Sequence, residues 1–108
     1  MKTGSAIIKV PEKVNKGELF KIIFVIIHPM ETGTRKDSAT GQTFPAHHLT
    51  AIDVIFAGKT ISSIEVGPGV SKNPTFSIMM KIQNSGELKL NYSDNKGGSW
   101  SKSKQINI

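Results

Sequence analysis

The sequence contains no cysteine among its 108 residues. This absence excludes disulfide bonds, zinc sites built from thiolates, a cysteine nucleophile and the covalent transport of sulfur on a thiol. It leaves the cellular compartment open, because a chain without cysteine folds equally well in reducing and in oxidising surroundings. If this chain takes part in thiol chemistry, another protein must supply the thiol.

Acidic residues are scarce as well. Asp and Glu total 8 against 14 Lys and Arg, which gives a net charge of +6 and a pI near 9.7. A basic surface attracts anionic small molecules, acidic proteins or nucleic acid. The lysines are scattered, however; Arg35-Lys36 is the one tight basic pair, and there is no basic helix or base-stacking aromatic motif. The distribution disfavours nucleic acid and leaves anions and acidic proteins as partners.

Long hydrophobic runs are missing too. The longest, IIFVII at Ile22–Ile27, is far shorter than a membrane-spanning helix, and the first ten residues contain no apolar core of signal-peptide length. Contents of 37% hydrophobic and 6% aromatic residues are typical of a folded soluble domain. We therefore expect a single domain over residues 1–108, without membrane association.

No segment shows the apolar periodicity of a helix, whereas short segments of strand character alternate with turn residues. Apolar side chains recur at every second position in three segments: Ile52, Val54 and Phe56; Phe76, Ile78, Met80 and Ile82; Leu88, Leu90 and Tyr92. Gly58-Lys59 and the DNKGG stretch at Asp94–Gly98 are expected to form hairpin turns. About seven such strands predict an all-β fold, an Ig-like antiparallel β-sandwich.

The segment GPGVSKNP, Gly67–Pro74, superficially resembles a phosphate-binding loop. It lacks the G-x-x-x-x-G-K-[ST] order, and no helix is predicted after it. We interpret it as a compound turn in which Pro68 and Pro74 fix φ while Gly67 and Gly69 adopt positive φ.

One predicted strand is apolar on both faces. Between Ile22 and Ile27, the second face consists of Ile23, Val25 and Ile27. A strand of a two-layer sandwich needs only one apolar face, so something must cover the other. The sequence leaves two covers open, the chain's own long loop or another subunit. Burial of these three side chains would contribute roughly 4–8 kcal/mol before the costs of association.

The three histidines, His28, His47 and His48, lie in or beside one long loop that also holds Glu31 and Asp37. Adjacent residues of a strand point to opposite faces, so His47 and His48 cannot both bind one ion without distorting the backbone. His28, one of this pair and one acid would resemble a metal-binding facial triad in composition only. Hydrogen bonding is therefore the favoured role of these histidines.

Four blocks of sequence occur in order across almost the whole chain: HPMETGTRKD, GQTFPAHHL, VGPGVSKNPTFSI and YSDNKGGSW. In these blocks the chain resembles the SoxZ family of the sulfur-oxidation (Sox) system. The resemblance implies an Ig-like β-sandwich that is not an enzyme, has no cofactor, and pairs with SoxY, the subunit whose cysteine carries the sulfur substrate. It also implies transient contacts with SoxAX, which loads thiosulfate, and with SoxB, which releases sulfate. The implied location is the periplasm, reached by export together with SoxY.

The candidate surface for partners combines the second apolar face with the loop between Pro29 and Pro45, because long loops are usually functional. It comprises Ile23, Val25, Ile27, His28, Met30, Arg35, Lys36, Phe44 and His47. In this hypothesis Arg35 and Lys36 steer acidic partners or an anionic adduct, and the histidines donate or accept hydrogen bonds. Met30 and Phe44 either contact the partner or pack into the domain's own core.

Two other classes of function stay open. One is a small metal-binding or redox β-sandwich that uses His28, His47 and His48. Superoxide reductase has a similar sandwich with an iron site, but that site needs a cysteine thiolate and four histidines, and this chain has no cysteine and three histidines. The other is a stand-alone structural Ig-like domain, which would be a stable monomer; the isolated chain could also self-associate through its apolar face.

Overall fold

The computed structural model describes residues 2–67 and 70–108. This part of the chain contains seven strands and no helix. The strands are β1 (Ala6–Lys9), β2 (Phe20–Ile26), β3 (Leu49–Phe56), β4 (Lys59–Glu65), β5 (Thr75–Met80), β6 (Gly86–Asp94) and β7 (Ser99–Ile106). The described residues therefore also include no helix that could cross a membrane.

The strands form two antiparallel sheets, in the orders β1-β2-β5 and β4-β3-β6-β7. Each sheet turns its apolar face toward the other, which confirms the predicted all-β, Ig-like sandwich. On β2 the inward side chains of Ile22, Phe24 and Ile26 are fully buried, and Phe24 stacks on Phe76 with ring centroids 5.3 Å apart. Burial of a side chain of this size contributes about 1.5–3 kcal/mol, so strict alternation on the central strands stabilises the whole sandwich.

The turns follow the positions of residues that tolerate positive φ. The β3–β4 hairpin turns at Ala57-Gly58, with φ of 51° and 82°, and Phe56 pairs with Lys59. The turn therefore lies one residue earlier than predicted, because both central residues of this hairpin type need positive φ and glycine takes the second place. The predicted hairpin over Asp94–Gly98 is present, and the Asp94 amide donates to the Gly98 carbonyl at 3.0 Å.

The turn before β5 differs in detail from the prediction. Pro68 and Gly69 lie outside the described residues. The predicted positive φ at Gly67 is wrong, since its φ lies outside the left-handed region, whereas Asn73 has a φ of 51°. Asparagine tolerates this conformation, and here its side chain is bonded to the backbone of His28.

The long connection between β2 and β3 is a paired arm rather than a structureless loop. Residues 29–46, called the arm from here on, fold back on themselves, with isolated antiparallel bridges between Glu31 and His47 and between Lys36 and Thr43. The arm leaves the outer face of the β1-β2-β5 sheet partly open, since Ile7 remains 40% exposed and Met79 58% exposed.

Candidate functional site

Segments far apart in sequence meet at the base of the arm. The end of β2 leads into His28, His47 directly follows the arm and pairs with Glu31, and the end of β6 provides Asp94. We call these three residues the histidine–carboxylate cluster. All three come from sequence blocks that carry the resemblance described above.

Asp94 is the centre of this cluster. Its Oδ2 accepts hydrogen bonds from Nε2 of His28 at 3.0 Å and from Nε2 of His47 at 2.7 Å. Its Oδ1 accepts from the amides of Lys96 at 3.0 Å and Gly98 at 2.7 Å. Burial raises the pKa of this carboxyl, but its hydrogen bonds outweigh burial and lower the pKa from 3.8 to about 2. Asp94 is therefore ionised at neutral pH and binds four donors.

The proton of His28 has a fixed position. Nδ1 of His28 accepts the amide hydrogen of Met30 at 3.1 Å, so the hydrogen of the neutral ring must be on Nε2, where it is donated to Asp94. The ring is fully buried. Burial lowers the pKa of His28 below 6.5 and outweighs the opposing effect of the bond to Asp94. His28 is therefore neutral at pH 7, with both ring nitrogens in use.

This pattern does not fit a metal centre. One nitrogen or oxygen from each of His28, His47 and Asp94 lies within 4.8 Å of the others. To bind a cation through Nε2, however, His28 would have to move its hydrogen to Nδ1, which faces the Met30 amide donor. The other ligands considered from the sequence bond elsewhere: His48 to the Leu49 carbonyl, Glu31 to Arg35, and Asp37 to the Ala39 amide. In the cluster, both nitrogens of His28, Nε2 of His47 and both oxygens of Asp94 already take part in hydrogen bonds.

We expect zinc or ferrous ion, added to chelator-treated protein, to leave the thermal unfolding midpoint unchanged. A cation bound to the folded chain alone and present at 100 times its Kd would raise the free energy of unfolding by about 2.7 kcal/mol, a shift that calorimetry resolves. A rise in the midpoint that disappears in His47→Gln would contradict this expectation.

A tryptophan packs beside the cluster. The Trp100 ring lies edge-on to His28 and stacks on Tyr92, with centroids 6.2 and 5.9 Å away. A Cβ added at Gly98 would come within 2.4 Å of this indole, and one added at Gly4 within 2.2 Å. The Tyr92 hydroxyl donates to the Gly4 carbonyl. These contacts join the N-terminal segment to β6 and β7 at the end of the sandwich where the arm begins.

Two asparagines fasten the base of the arm. The Asn73 side chain accepts from the His28 amide at 3.0 Å, and the Asn73 amide donates to the His28 carbonyl at 2.9 Å. The Asn95 side chain donates to the Ala46 carbonyl at 2.9 Å and accepts from the His48 amide at 2.8 Å. Both limbs of the arm are thus bonded to the turns of the sandwich.

Farther along the arm, Arg35 is bonded within the arm itself. Its guanidinium bonds both carboxylate oxygens of Glu31, at 2.5 and 3.2 Å, and lies 3.9 Å from the centroid of the Phe44 ring. The hydrogen bond from Arg35 is the main cause of the lowered pKa of Glu31. Lys36 is exposed. Part of the positive charge predicted to steer partners is therefore already paired.

The candidate partner residues fall into three groups. Ile23, Val25 and Ile27 are half-buried in β2 or directly after it; Arg35, Lys36 and Phe44 belong to the arm; His28, Met30 and His47 belong to its base. His28 and Met30 are only 0% and 6% exposed, so a partner cannot reach them in this conformation. Both residues make hydrogen bonds inside the domain, and these bonds hold the arm to the sandwich. For the other candidates, contact with a partner stays a prediction.

The fold recurs in solved structures, among them superoxide reductases and a sulfur carrier protein. Superoxide reductase (neelaredoxin) from Ignicoccus hospitalis aligns with a TM-score of 0.71 and 22% identity over 96% of this chain and 80% of that chain. The reduced enzyme from Archaeoglobus fulgidus aligns with 0.69 and 17% identity, over 99% and 92%. The sulfur carrier protein SoxY from Chlorobium limicola f thiosulfatophilum aligns with 0.65 and 14% identity, over 99% and 76%. The chain is therefore a β-sandwich of the class these proteins share, and identities this low show the fold alone.

Comparison of the sequence with known families identifies one family within this class of fold. No curated protein is similar enough in sequence to count as a match. The family described as "Sulphur oxidation protein SoxZ" matches residues 8–105, nearly the whole chain. The chain belongs to the SoxZ family of sulfur-oxidation proteins.

Proposed function

We propose that this chain is the non-catalytic partner subunit of the SoxYZ sulfur carrier. It pairs with SoxY, whose cysteine holds the sulfur intermediate, and helps to present that intermediate to SoxAX, SoxB and other Sox enzymes. The observation that carries the proposal is the SoxZ match over residues 8–105 in a chain without cysteine. A sulfur-oxidation protein with no thiol cannot itself be the covalent carrier, so it supports a subunit that is.

Three features of the chain support this role. The outer face of the β1-β2-β5 sheet is apolar and partly open, as a subunit interface requires. The net charge of +6 suits a complex that handles thiosulfate and its adducts, which are anions. In the histidine–carboxylate cluster both nitrogens of His28, Nε2 of His47 and both oxygens of Asp94 are bonded to one another or to backbone amides, which suits a structural role better than a catalytic one.

The same proposal extends to location. We expect the chain to work in the periplasm after export together with SoxY. Fractionation of the native host, with and without SoxY, tests this, and retention of the chain in the cytoplasm of cells that contain SoxY would contradict it.

Co-expression of the tagged chain with SoxY from the same organism is expected to yield a stoichiometric complex on affinity purification and gel filtration. A SoxY variant with serine in place of the carrier cysteine is the matched control, and it should pair equally well because the interface needs no thiol. A chain that elutes as a monomer, with SoxY in the flow-through, would show that the pairing proposal is wrong.

A further inference from the structure

The sandwich has two open sides, one between the edge strands β1 and β7 and the other between the edge strands β4 and β5. The side chains that line these two sides differ in polarity. On the β1–β7 side, Lys102 and Lys104 are exposed and lie opposite Leu90 and Leu88, so they share the face that is turned toward the core. Inward-facing lysines on an edge strand discourage docking. On the β4–β5 side there is instead a cleft of about 340 Å³. Its lining includes Phe56, Ile61, Ile78, Met79 and Ile82.

This cleft is continuous with the outer face of the β1-β2-β5 sheet. Met79 lines the cleft, yet it pairs with Lys21 on the outer face and is 58% exposed. On the same face Val25 lies opposite Ile7, which is 40% exposed, and Ile61 at the far wall of the cleft is 43% exposed. We call Ile7, Ile23, Val25, Met79 and Ile61 the apolar strip. It runs from β1 across β2 and around edge strand β5 to β4.

The charges on the outer face of the β1-β2-β5 sheet and in the cleft lining are all positive. Lys9 lies opposite Ile23, Lys21 lies opposite Met79, and Lys81 lines the cleft. The other outward positions on β1, β2 and β5 hold apolar residues, threonine or serine, so these strands present no carboxylate on this face. Two copies of the chain docked through this surface would bring like charges together. A partner with an apolar centre and a rim of carboxylates would complement it.

We propose that the apolar strip, including the β4–β5 cleft, is the docking surface for an acidic-rimmed apolar face of the partner subunit. This inference rests on the proposed pairing with SoxY and specifies where and how that pairing occurs. It keeps Ile23 and Val25 from the second apolar face predicted from sequence and continues around β5 to Met79 and Ile61, which the sequence did not single out as partner contacts. It leaves Arg35 and Lys36 on the arm outside the docking surface, where the enzymes that visit the complex would meet them.

The test is titration of purified SoxY with Met79→Glu and Ile61→Glu. Each side chain is about half exposed, so a charge there is tolerated in the free chain but is buried unpaired in the complex. We expect Kd to rise at least about tenfold for each variant. Ser103→Glu, on the lysine-bearing side of the sandwich, is the matched control and should bind like the unchanged chain.

A second measurement needs no variant. Met79 is expected to react with dilute hydrogen peroxide in the free chain and to be protected in the complex, as followed by mass spectrometry. Buried Met30 and Met80, 6% and 5% exposed, are internal references. This readout remains informative if a glutamate variant fails to fold.

The outcomes separate the two proposals. If SoxY binds the unchanged chain but binds Met79→Glu and Ile61→Glu equally well, and Met79 stays reactive in the complex, the docking surface is wrong while the pairing stands. If SoxY does not bind the unchanged chain, both proposals fail. If the chain forms dimers that the same glutamates dissociate, a second copy is the occupant and the docking proposal is overturned.

Discussion

Replacement of Asp94 by alanine is expected to lower the free energy of unfolding by about 3–5 kcal/mol, because the acceptor of four hydrogen bonds is lost and a buried donor without a partner costs about 1–3 kcal/mol. The substitution leaves four donors without an acceptor: Nε2–H of His28 and of His47, and the amides of Lys96 and Gly98. Each buried donor left unbonded adds to the cost. Small domains have only about 5–15 kcal/mol in total, so urea denaturation should show a large fall in the midpoint.

Asp53→Ala is the matched control for this experiment. Asp53 is an acid on a central strand too, but it accepts one solvent-exposed hydrogen bond, from Ser63 at 2.8 Å. Its removal should lower the free energy of unfolding by less than about 1 kcal/mol. If Asp94→Ala and Asp53→Ala lowered the midpoint equally, the histidine–carboxylate cluster would not be what holds the base of the arm.

The strands could be predicted from sequence wherever one face is buried. Ile52 and Val54 on β3, and Leu88 and Leu90 on β6, alternate with polar residues because a strand turns successive side chains to opposite faces. This alternation can be recognised within one segment, without knowing which strand pairs with it. The sequence did not predict the paired structure of the arm. Its pairing is limited to two isolated bridges, which are too few to produce an alternation of apolar and polar residues along the sequence.

The cluster could not be predicted from sequence, because its bonds join distant residues. Asp94 lies 66 residues from His28 and 47 from His47. The sequence pointed to Glu31 and Asp37 because they lie near the histidines along the chain, yet both bond locally, to Arg35 and to the Ala39 amide. The one available signal was the turn that Asp94 begins, since aspartate commonly accepts from amides that follow it in a turn. That signal indicates Lys96 and Gly98, but not the histidines.

Residues from several of the sequence blocks that resemble the SoxZ family lie together where the arm begins and ends. Met30, Asn73 and Asn95 come from three of the resembling blocks, and each bonds a residue at the start or end of the arm. These three motif residues therefore attach the arm to the sandwich. The apolar strip lies largely outside these blocks, so its proposed role depends on burial and charge alone.

Acid is expected to destabilise the folded chain in two steps, the first of them due to His28. Because burial lowers the pKa of His28 below 6.5 in the folded state, the unfolded chain takes up a proton at a higher pH than the folded chain does. The contribution of His28 to stability is therefore complete above pH 6.5 and is lost as the pH falls toward the folded-state pKa. Protonation also places a hydrogen on Nδ1 against the Met30 amide.

Asp94 accounts for the second step. Its pKa is lowered from 3.8 to about 2, so its contribution to stability is complete above pH 3.8 and is lost as the pH falls toward 2. The shift corresponds to about 2 kcal/mol. Urea titrations between pH 8 and pH 2 should show the free energy of unfolding falling in both windows, and His28→Gln should flatten the first while the Asp94 step remains. Nitrogen-15 NMR of the imidazoles gives an independent check, since His28 should be neutral with its hydrogen on Nε2 at pH 7. If the free energy of unfolding fell equally steeply below pH 6.5 in the unchanged chain and in His28→Gln, protonation of the buried His28 ring would not be coupled to folding.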